Sequence, residues 1–213
     1  EQFRARGQLE EAAGAFARLA THPDWLAPAQ LRLGQVALQR GRLREAVAAA
    51  LAARQAEESD PVVLEAIVEL LCQVGELQAA LSLAQSPVLA GDRDPAVQAG
   101  LGRLLMDQSF PAEALPFLQR ASALGDDGAG VHYQLGLGQL YAGDLDAAEA
   151  SLEACLARQP THGGAHRQLA KLRKATPEWN HVDRLRAVIS RVGEGFADAP
   201  PLHYALFKEL DDL

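Results

Sequence analysis

"GDLDAAEASLEACLARQP", residues 143–160, begins with a turn glycine, continues with apolar residues at helical spacing and ends at a proline. Similar stretches begin at Gly7, Gly41, Gly75 and Ser109, so that successive starts are 34 residues apart. A constant period of this length indicates an array of repeated structural units rather than one ordinary domain.

Small residues recur at two fixed positions of this period. An alanine lies five residues after each start: Ala12, Ala46, Ala80, Ala114 and Ala148. The second position lies seven residues before each later start. It holds a small or modest residue that follows a large aliphatic one: Leu33–Gly34, Ile67–Val68, Leu101–Gly102 and Leu135–Gly136. This spacing predicts two helices per repeat that cross where only a hydrogen or a methyl group fits. It also predicts a turn between them whose glycine adopts a positive φ.

The repeat resembles the tetratricopeptide repeat, a 34-residue helix–turn–helix with the pattern W-x2-L-G-x2-Y, A-x3-F and P. The match is best in residues 130–160, where the matching positions are Leu135, Gly136, Gly143, Ala148 and Pro160. The resemblance implies an all-α, right-handed superhelical solenoid of antiparallel helix pairs with an irregular last repeat.

Several residues depart from the family pattern. The tryptophan position holds Gln30, Gln98 and His132. Pro87 is expected to shorten one second helix, and Pro116 is expected to bend another because it lacks a backbone donor.

The period divides the chain into two regions. Residues 1–160 are predicted to contain a partial first repeat, with a turn at Gly7, and four full repeats. Residues 161–213 are predicted to form an irregular, extended helix pair and the first helix of a further repeat. In that pair Thr176 is expected to cap a helix beginning at Pro177, and in the last helix Leu206 and Phe207 occupy the aliphatic and small positions. The incomplete repeats at both ends predict a fragment of a longer protein.

The last quarter of the chain resembles a second, narrower pattern. Residues 165–213 contain "LAKLRK", "TPE", "HVDRL" and "LHYALFKELDDL", which are similar to the junction of bacterial proteins in which tetratricopeptide repeats precede a sulfotransferase domain. That resemblance implies an accessory arm of a sulfotransferase that positions its acceptor or its catalytic domain. No phosphate-cradling loop G-x-x-x-x-G-K-[ST] occurs in the sequence, so no catalytic residue is assigned to this chain.

Composition narrows the class of partner. The net charge of −8 argues against general nucleic-acid binding. No apolar run approaches the roughly 20 residues that span a bilayer, and no signal peptide is visible. Cys72 and Cys155 are the only cysteines, which gives no disulfide framework and fits a reducing, cytoplasmic compartment. Cys155 is expected to be packed in the core, whereas Cys72 is expected on the concave side of a first helix.

Histidines do not suggest a metal or a cofactor. His162 and His166 are four residues apart, but two glycines intervene and His162 is expected in a turn, so no metal site is predicted. His181 is expected at the surface or at a helix end.

Function is therefore expected on the concave face, which first helices line in proteins of this family. The candidate binding residues are Gln35, Gln39, Glu65, Glu69, Arg103, Tyr133, Tyr141, Arg167, Lys171 and Lys174. The clamp that holds chaperone carboxyl termini is not expected, because Glu65 and Glu69 stand where that clamp needs positive or amide groups.

The last three candidates belong to a basic segment. Residues 161–191 contain seven Lys or Arg and two acidic residues, within a chain of net charge −8. This segment is either a solvated face or a docking site for an acidic segment.

Three hypotheses for the function remain. The first is a non-catalytic scaffold that binds a protein or peptide, the second is the sulfotransferase arm, and the third is self-association through the repeat ends.

Overall fold

The structure, a computed structural model, describes residues 2–193 and 195–213, with side chains from residue 7 onward. This part of the chain contains α-helices and one 3-10 turn, Pro23–Trp25, and no β-strand. The helices are α1 Gln2–Leu19, α2 Leu26–Gln39, α3 Leu43–Gln55, α4 Pro61–Gln73, α5 Leu77–Ala84, α6 Pro87–Gly91, α7 Pro95–Asp107, α8 Pro111–Ala123, α9 Ala129–Ala142, α10 Leu145–Arg158, α11 Gly163–Leu172, α12 Val182–Val192 and α13 Ala199–Asp212. They form two compact units, the N-terminal unit up to Ser109 and the C-terminal unit from Phe110.

Neighbouring helices pack as pairs, which confirms the predicted all-α arrangement. In the N-terminal unit α2 packs against α3 and α4 against α5, and in the C-terminal unit α9 packs against α10. The first helices α4 and α7 begin with the same local signal one period apart. The Asp60 carboxylate accepts a hydrogen bond from the Val62 N–H at 2.9 Å, and the Asp94 carboxylate accepts one from the Ala96 N–H at 2.8 Å. In both helices a proline follows the capping aspartate, because its fixed φ suits the first helical position.

The turns between paired helices adopt the predicted left-handed backbone. Gly41, Gly75 and Gly143 have φ angles of 70°, 84° and 80°. Ser109 occupies the same repeat position with a φ of 64°, which costs a non-glycine residue about 1 kcal/mol or more.

Burial confirms four of the five predicted crossing alanines, whereas Ala12 is only half-buried. Ala46, Ala80, Ala114 and Ala148 are at most 1% exposed. A Cβ on Gly136 would lie 2.8 Å from Leu152 Cγ on the partner helix, so this crossing needs glycine. Gly34 differs, since its Cβ would meet Leu70 of α4 at 2.5 Å; here the small residue admits a side chain from the next repeat.

One predicted turn and one predicted helix start are replaced by other geometry. Helix α1 continues through Gly7, where a turn was predicted. Glycine permits a left-handed turn but does not impose one, and inside a helix it costs only about 1 kcal/mol relative to alanine. The predicted helix start at Pro177 is also wrong, because α12 begins at Val182. Thr176 and Trp179 instead close a turn with two mutual backbone hydrogen bonds, at 2.9 and 3.1 Å, and the Thr176 hydroxyl also accepts from the Trp179 N–H.

The prolines inside second helices act differently. Helix α5 ends at Ala84 and a short helix α6 starts at Pro87, which confirms the predicted shortening. Helix α8 continues on both sides of Pro116.

The C-terminal unit ends in an arrangement that departs from simple pairing. Helix α13 packs against both α11 and α12. A core cluster formed by Ala170, Leu185, Val188, Leu202 and Ala205 joins these three helices. Phe207, predicted at the small position of its repeat, is 64% exposed, whereas the residues at that position in earlier repeats are buried.

Candidate functional site

In the N-terminal unit, two of the predicted residues lie on α2. The half-buried Gln35 accepts a hydrogen bond from Arg32 Nη1 at 2.8 Å. The exposed Gln39 lines a surface depression together with Arg40 and Arg42. Both arginines pair with Glu10, and the Arg42 pair has a distance of 3.5 Å. Arg42 also pairs with Glu45 at 3.3 Å, so the charges beside Gln39 are paired within the unit.

Glu65 lies where α4 meets α7. Its carboxylate occupies the space above Gly100, since a Cβ on that glycine would lie 1.7 Å from Glu65 Oε1. Burial raises the pKa of Glu65 to about 6; the charge of Arg103 opposes the rise, and Glu69 and Asp94 add to it. Glu65 is thus a half-buried carboxyl with an ionisation close to neutral pH.

The remaining candidates of this unit bond along their own helices. Glu69 accepts a hydrogen bond from Gln73 Nε2 at 3.3 Å, and Arg103 pairs with Asp107 at 3.6 Å. Both Glu69 and Arg103 are exposed. Cys72, expected on the concave side, is buried, and burial raises the pKa of its thiol.

In the C-terminal unit the two tyrosines of α9 have different environments. The Tyr133 ring lies 4.5 Å from the His162 ring, and a Cβ on Gly164 would meet its hydroxyl at 2.9 Å. Tyr133 is therefore packed against the start of α11. Tyr141, two turns further along α9, is 73% exposed.

Arg167 and Lys171 line a cleft between α11 and α13. The opposite wall is formed by Pro200, Pro201 and Tyr204, and the cleft has a volume of about 470 Å3. We call it the α11–α13 cleft. Lys174 is exposed but does not line it, and its charge acts on Asp212 instead, near the end of α13.

A close contact at one end sets the width of this cleft. A Cβ on Gly163 would lie 2.6 Å from the Asp198 carbonyl oxygen and 3.1 Å from Pro201 Cβ. The Gly163 N–H also donates a hydrogen bond of 3.3 Å to the Asp198 carboxylate. Because no side chain separates the two helices here, α13 starts directly against α11, and the cleft opens beside that contact.

A buried polar network holds α12 and α13 in place. Glu209 on α13 is fully buried, and its carboxylate accepts hydrogen bonds from the His181 backbone N–H at 2.5 Å and ring Nδ1 at 2.6 Å. His181 Nε2 lies 3.7 Å from Glu153 Oε1 on α10, and Arg184 contacts both oxygens of Glu153 at 2.7 and 3.0 Å.

The charges of this network affect the Glu153 ionisation. Burial acts to raise the pKa of the Glu153 carboxyl, but the hydrogen bonds and charge of Arg184, with the charge of His181, outweigh burial and hold that pKa below its ordinary value. Glu153 is therefore anionic at neutral pH and pairs with Arg184.

His162 and His166 are engaged by separate partners. His162 Nδ1 caps α11 by accepting from the Ala165 N–H at 3.1 Å, which places it in the predicted turn. The buried His166 donates from Nε2 to the Pro160 carbonyl at 2.9 Å, and burial lowers the pKa of its ring. His181 lies at the start of α12, as expected, but its side chain is mostly buried. Cys155 is fully buried, as predicted.

Two absences apply to the part of the chain that the structure describes. No group of three or more His, Cys, Asp or Glu residues there is arranged to hold a metal ion. None of the helices there has both the length and the apolar content required to cross a bilayer.

Sequence reasoning missed the second wall of the α11–α13 cleft and the Glu209 network. Tyr204 lies 34 residues after Ala170, so strict use of the period would have marked it as a first-helix position. No sequence signal relates His181 to Glu209, which is 28 residues further along the chain.

The fold is that of a tetratricopeptide-repeat protein. The chain is similar to YrrB, described as a TPR protein with an unusual peptide-binding site, with 18% identity over 94% of this chain and 93% of YrrB and a TM-score of 0.58. It is similar to MamA of Desulfovibrio magneticus RS-1, with 19% identity, coverage of 87% and 93%, and a TM-score of 0.57. PilF of Pseudomonas aeruginosa gives 23% identity, coverage of 89% and 88%, and a TM-score of 0.57.

At these identities the likeness establishes the fold alone. No protein-family model matches the sequence, and no curated protein matches it.

Proposed function

We propose that the chain is a non-catalytic scaffold that binds a protein or peptide segment on the outward faces of its first helices. The observation that carries this proposal is the set of exposed polar and aromatic side chains on those helices. Glu69 and Arg103 are exposed in the N-terminal unit, and Tyr141, Arg167 and Lys171 are exposed in the C-terminal unit. The peptide-binding description of YrrB, which shares the fold, supports the same class of ligand.

The sulfotransferase hypothesis has less support. None of the solved structures reported above is described as a sulfotransferase, and the resemblance in residues 165–213 lies in the region where the predicted helix start was wrong. Self-association through the repeat ends stays a prediction, and light scattering over a concentration series tests it.

The scaffold proposal is tested by selecting binders from a random peptide library displayed on phage. Selected peptides are titrated by calorimetry into the parent chain and into three face variants, Arg103→Gln, Tyr141→Ser, and Arg167→Gln with Lys171→Gln. Matched controls change exposed residues of second helices, Arg44→Gln on α3 and Leu145→Ser on α10. The proposal expects each selected peptide to lose at least about fivefold in affinity with one face variant and less than twofold with both controls. Selection of no peptide above background, or equal losses with control and face variants, would remove it.

A further inference from the structure

Arg167 and Lys171 differ from Arg173 and Arg184 in having no ion-pair partner among the residues that the structure describes. On the segment that follows α11, Arg173 pairs with Asp146 and with Glu149, the latter at 3.1 Å, and Arg184 on α12 pairs with Glu153. Among the residues that the structure describes, no carboxylate lies within ion-pairing distance of Arg167 or Lys171. The cleft therefore presents two positive charges that no carboxylate of the described part of the chain pairs with.

The opposite wall of the cleft is apolar. Pro200, Pro201 and Tyr204 belong to the first turn and a half of α13, and Tyr204 is 47% exposed. A tyrosine and two prolines offer ring and aliphatic surface and no charge. A matching ligand thus has acidic groups along one side and an apolar side chain on the other.

The distance between the two cations restricts the backbone of that ligand. Residues four apart on a helix are separated by about 6 Å along its axis. In an extended chain, alternate side chains point the same way and are about 6.6 Å apart. A three-residue segment with acidic residues at its first and third positions therefore matches the spacing of the two cations. A helix with acidic residues four apart also matches it, but the shortest such segment has five residues and a complete turn, whereas the extended match has three residues. The cleft has about 470 Å3, which favours an extended segment.

We propose that the α11–α13 cleft binds an extended acidic segment of a partner protein, with two carboxylates at alternate positions on Arg167 and Lys171. The next residues, proline or aliphatic, contact Tyr204 and the two prolines. This inference rests on the proposed scaffold function and names the ligand class for one part of it. A protein segment is favoured over nucleic acid because the net charge of −8 repels a polyanion, and because one cleft wall is apolar.

The test uses the heptapeptide Ser-Asp-Val-Asp-Pro-Leu-Ser-amide, with a fluorescent dye on its N-terminal amine, titrated into the whole chain by anisotropy at low salt. Two control peptides replace both aspartates by asparagine or move the second aspartate by one position. The parent chain is expected to bind the probe at least about fivefold more tightly than either control peptide. Binding should weaken as salt rises.

Matched variants locate the site. Arg167→Gln with Lys171→Gln is expected to weaken binding about 5- to 30-fold, the effect of losing two ion pairs. Arg186→Gln with Arg191→Gln on α12 removes the same charge outside the cleft and is expected to change binding less than twofold. Tyr204→Ala, which keeps the charge, is expected to weaken binding about threefold or more.

Several outcomes would overturn the inference. These are a cleft variant that binds like the parent, a control variant that loses as much as the cleft variant, or a ten-nucleotide single strand of thymidine that displaces the probe at equal concentration. If library peptides still bind on other first-helix faces while the cleft variant has no effect, the scaffold function stands and the assignment of this cleft fails. Circular dichroism spectra that match the parent establish that the exposed substitutions leave the helices folded.

Discussion

Removing the Glu209 carboxylate is expected to open the end of the C-terminal unit. The group is fully buried and accepts two hydrogen bonds from His181, at 2.5 and 2.6 Å. Glu209→Ala leaves both donors without a partner in the core, and breaking a buried pair in this way costs about 3–5 kcal/mol. Glu209→Gln keeps one acceptor oxygen but turns an amide N–H toward the second donor, so its expected cost is about 1–3 kcal/mol.

The assay is urea denaturation followed by indole fluorescence. Trp179 lies edge-on to His181 with ring centroids 4.9 Å apart, so its emission reports on this contact. A Trp25→Phe background leaves Trp179 as the sole indole, since the chain has two tryptophans. Glu178→Gln changes an exposed carboxylate in the same segment and is expected to shift the unfolding free energy by less than about 0.5 kcal/mol. A loss below about 1 kcal/mol for Glu209→Ala would refute the reasoning, because the two bonds would then contribute little to holding α13.

Three further expectations concern the left-handed turn positions, Glu65 and the two cysteines. Ser109→Gly is expected to raise the unfolding free energy by about 1 kcal/mol because φ is 64° there. Gly75→Ala, at a φ of 84°, is expected to lower the unfolding free energy by a similar amount. Tm shifts of the same sign for the two variants, measured by calorimetry, would contradict this account. Glu65→Gln is expected to stabilise at pH 7 by about 1 kcal/mol and to have little effect at pH 4. The reason is that the pKa rises from 4.5 to about 6 on folding, so the folded state holds its proton more tightly and stability falls as pH rises through that window. Without screening, this pKa difference would correspond to about 2 kcal/mol of stability, and solvent around the half-exposed carboxyl screens about half of that. Denaturant curves at both pH values check the sign of the effect. Cys72 and Cys155, both buried with a raised thiol pKa, are expected to react with a thiol reagent at least about tenfold more slowly than in urea, and rapid labelling of the native chain would disprove their packing.

The sequence period predicted the features that depend on local geometry. The left-handed turn at Gly143 and the crossing at Ala148 repeat because every hairpin needs the same backbone reversal and the same small contact. The start of α12 could not be predicted in this way. Thr176 and Pro177 have the composition of a helix start, but the backbone there closes a turn with Trp179. Both geometries satisfy the same local preferences, so contacts elsewhere in the fold decide between them.

The candidate site was predicted in part for a similar reason. Arg167 and Lys171 occupy regular positions on a first helix, so the repeat register identified them. Their apolar counterpart Tyr204 belongs to a helix whose position depends on the long connection before it and on the contact at Gly163. The period places Tyr204 on a first helix, 34 residues after Ala170, but it does not determine which side chains of α11 Tyr204 faces.

The aspartate–proline starts of α4 and α7 have a consequence for how this chain can change length. Asp60 and Asp94 each precede a proline, one period apart. Excising residues 61–94 would therefore join Asp60 directly to Pro95 and recreate the same start sequence at the junction. The turn and crossing positions at Ser109, Ala114, Gly143 and Ala148 would keep their phase, so loss or duplication of this one hairpin needs no new joining sequence.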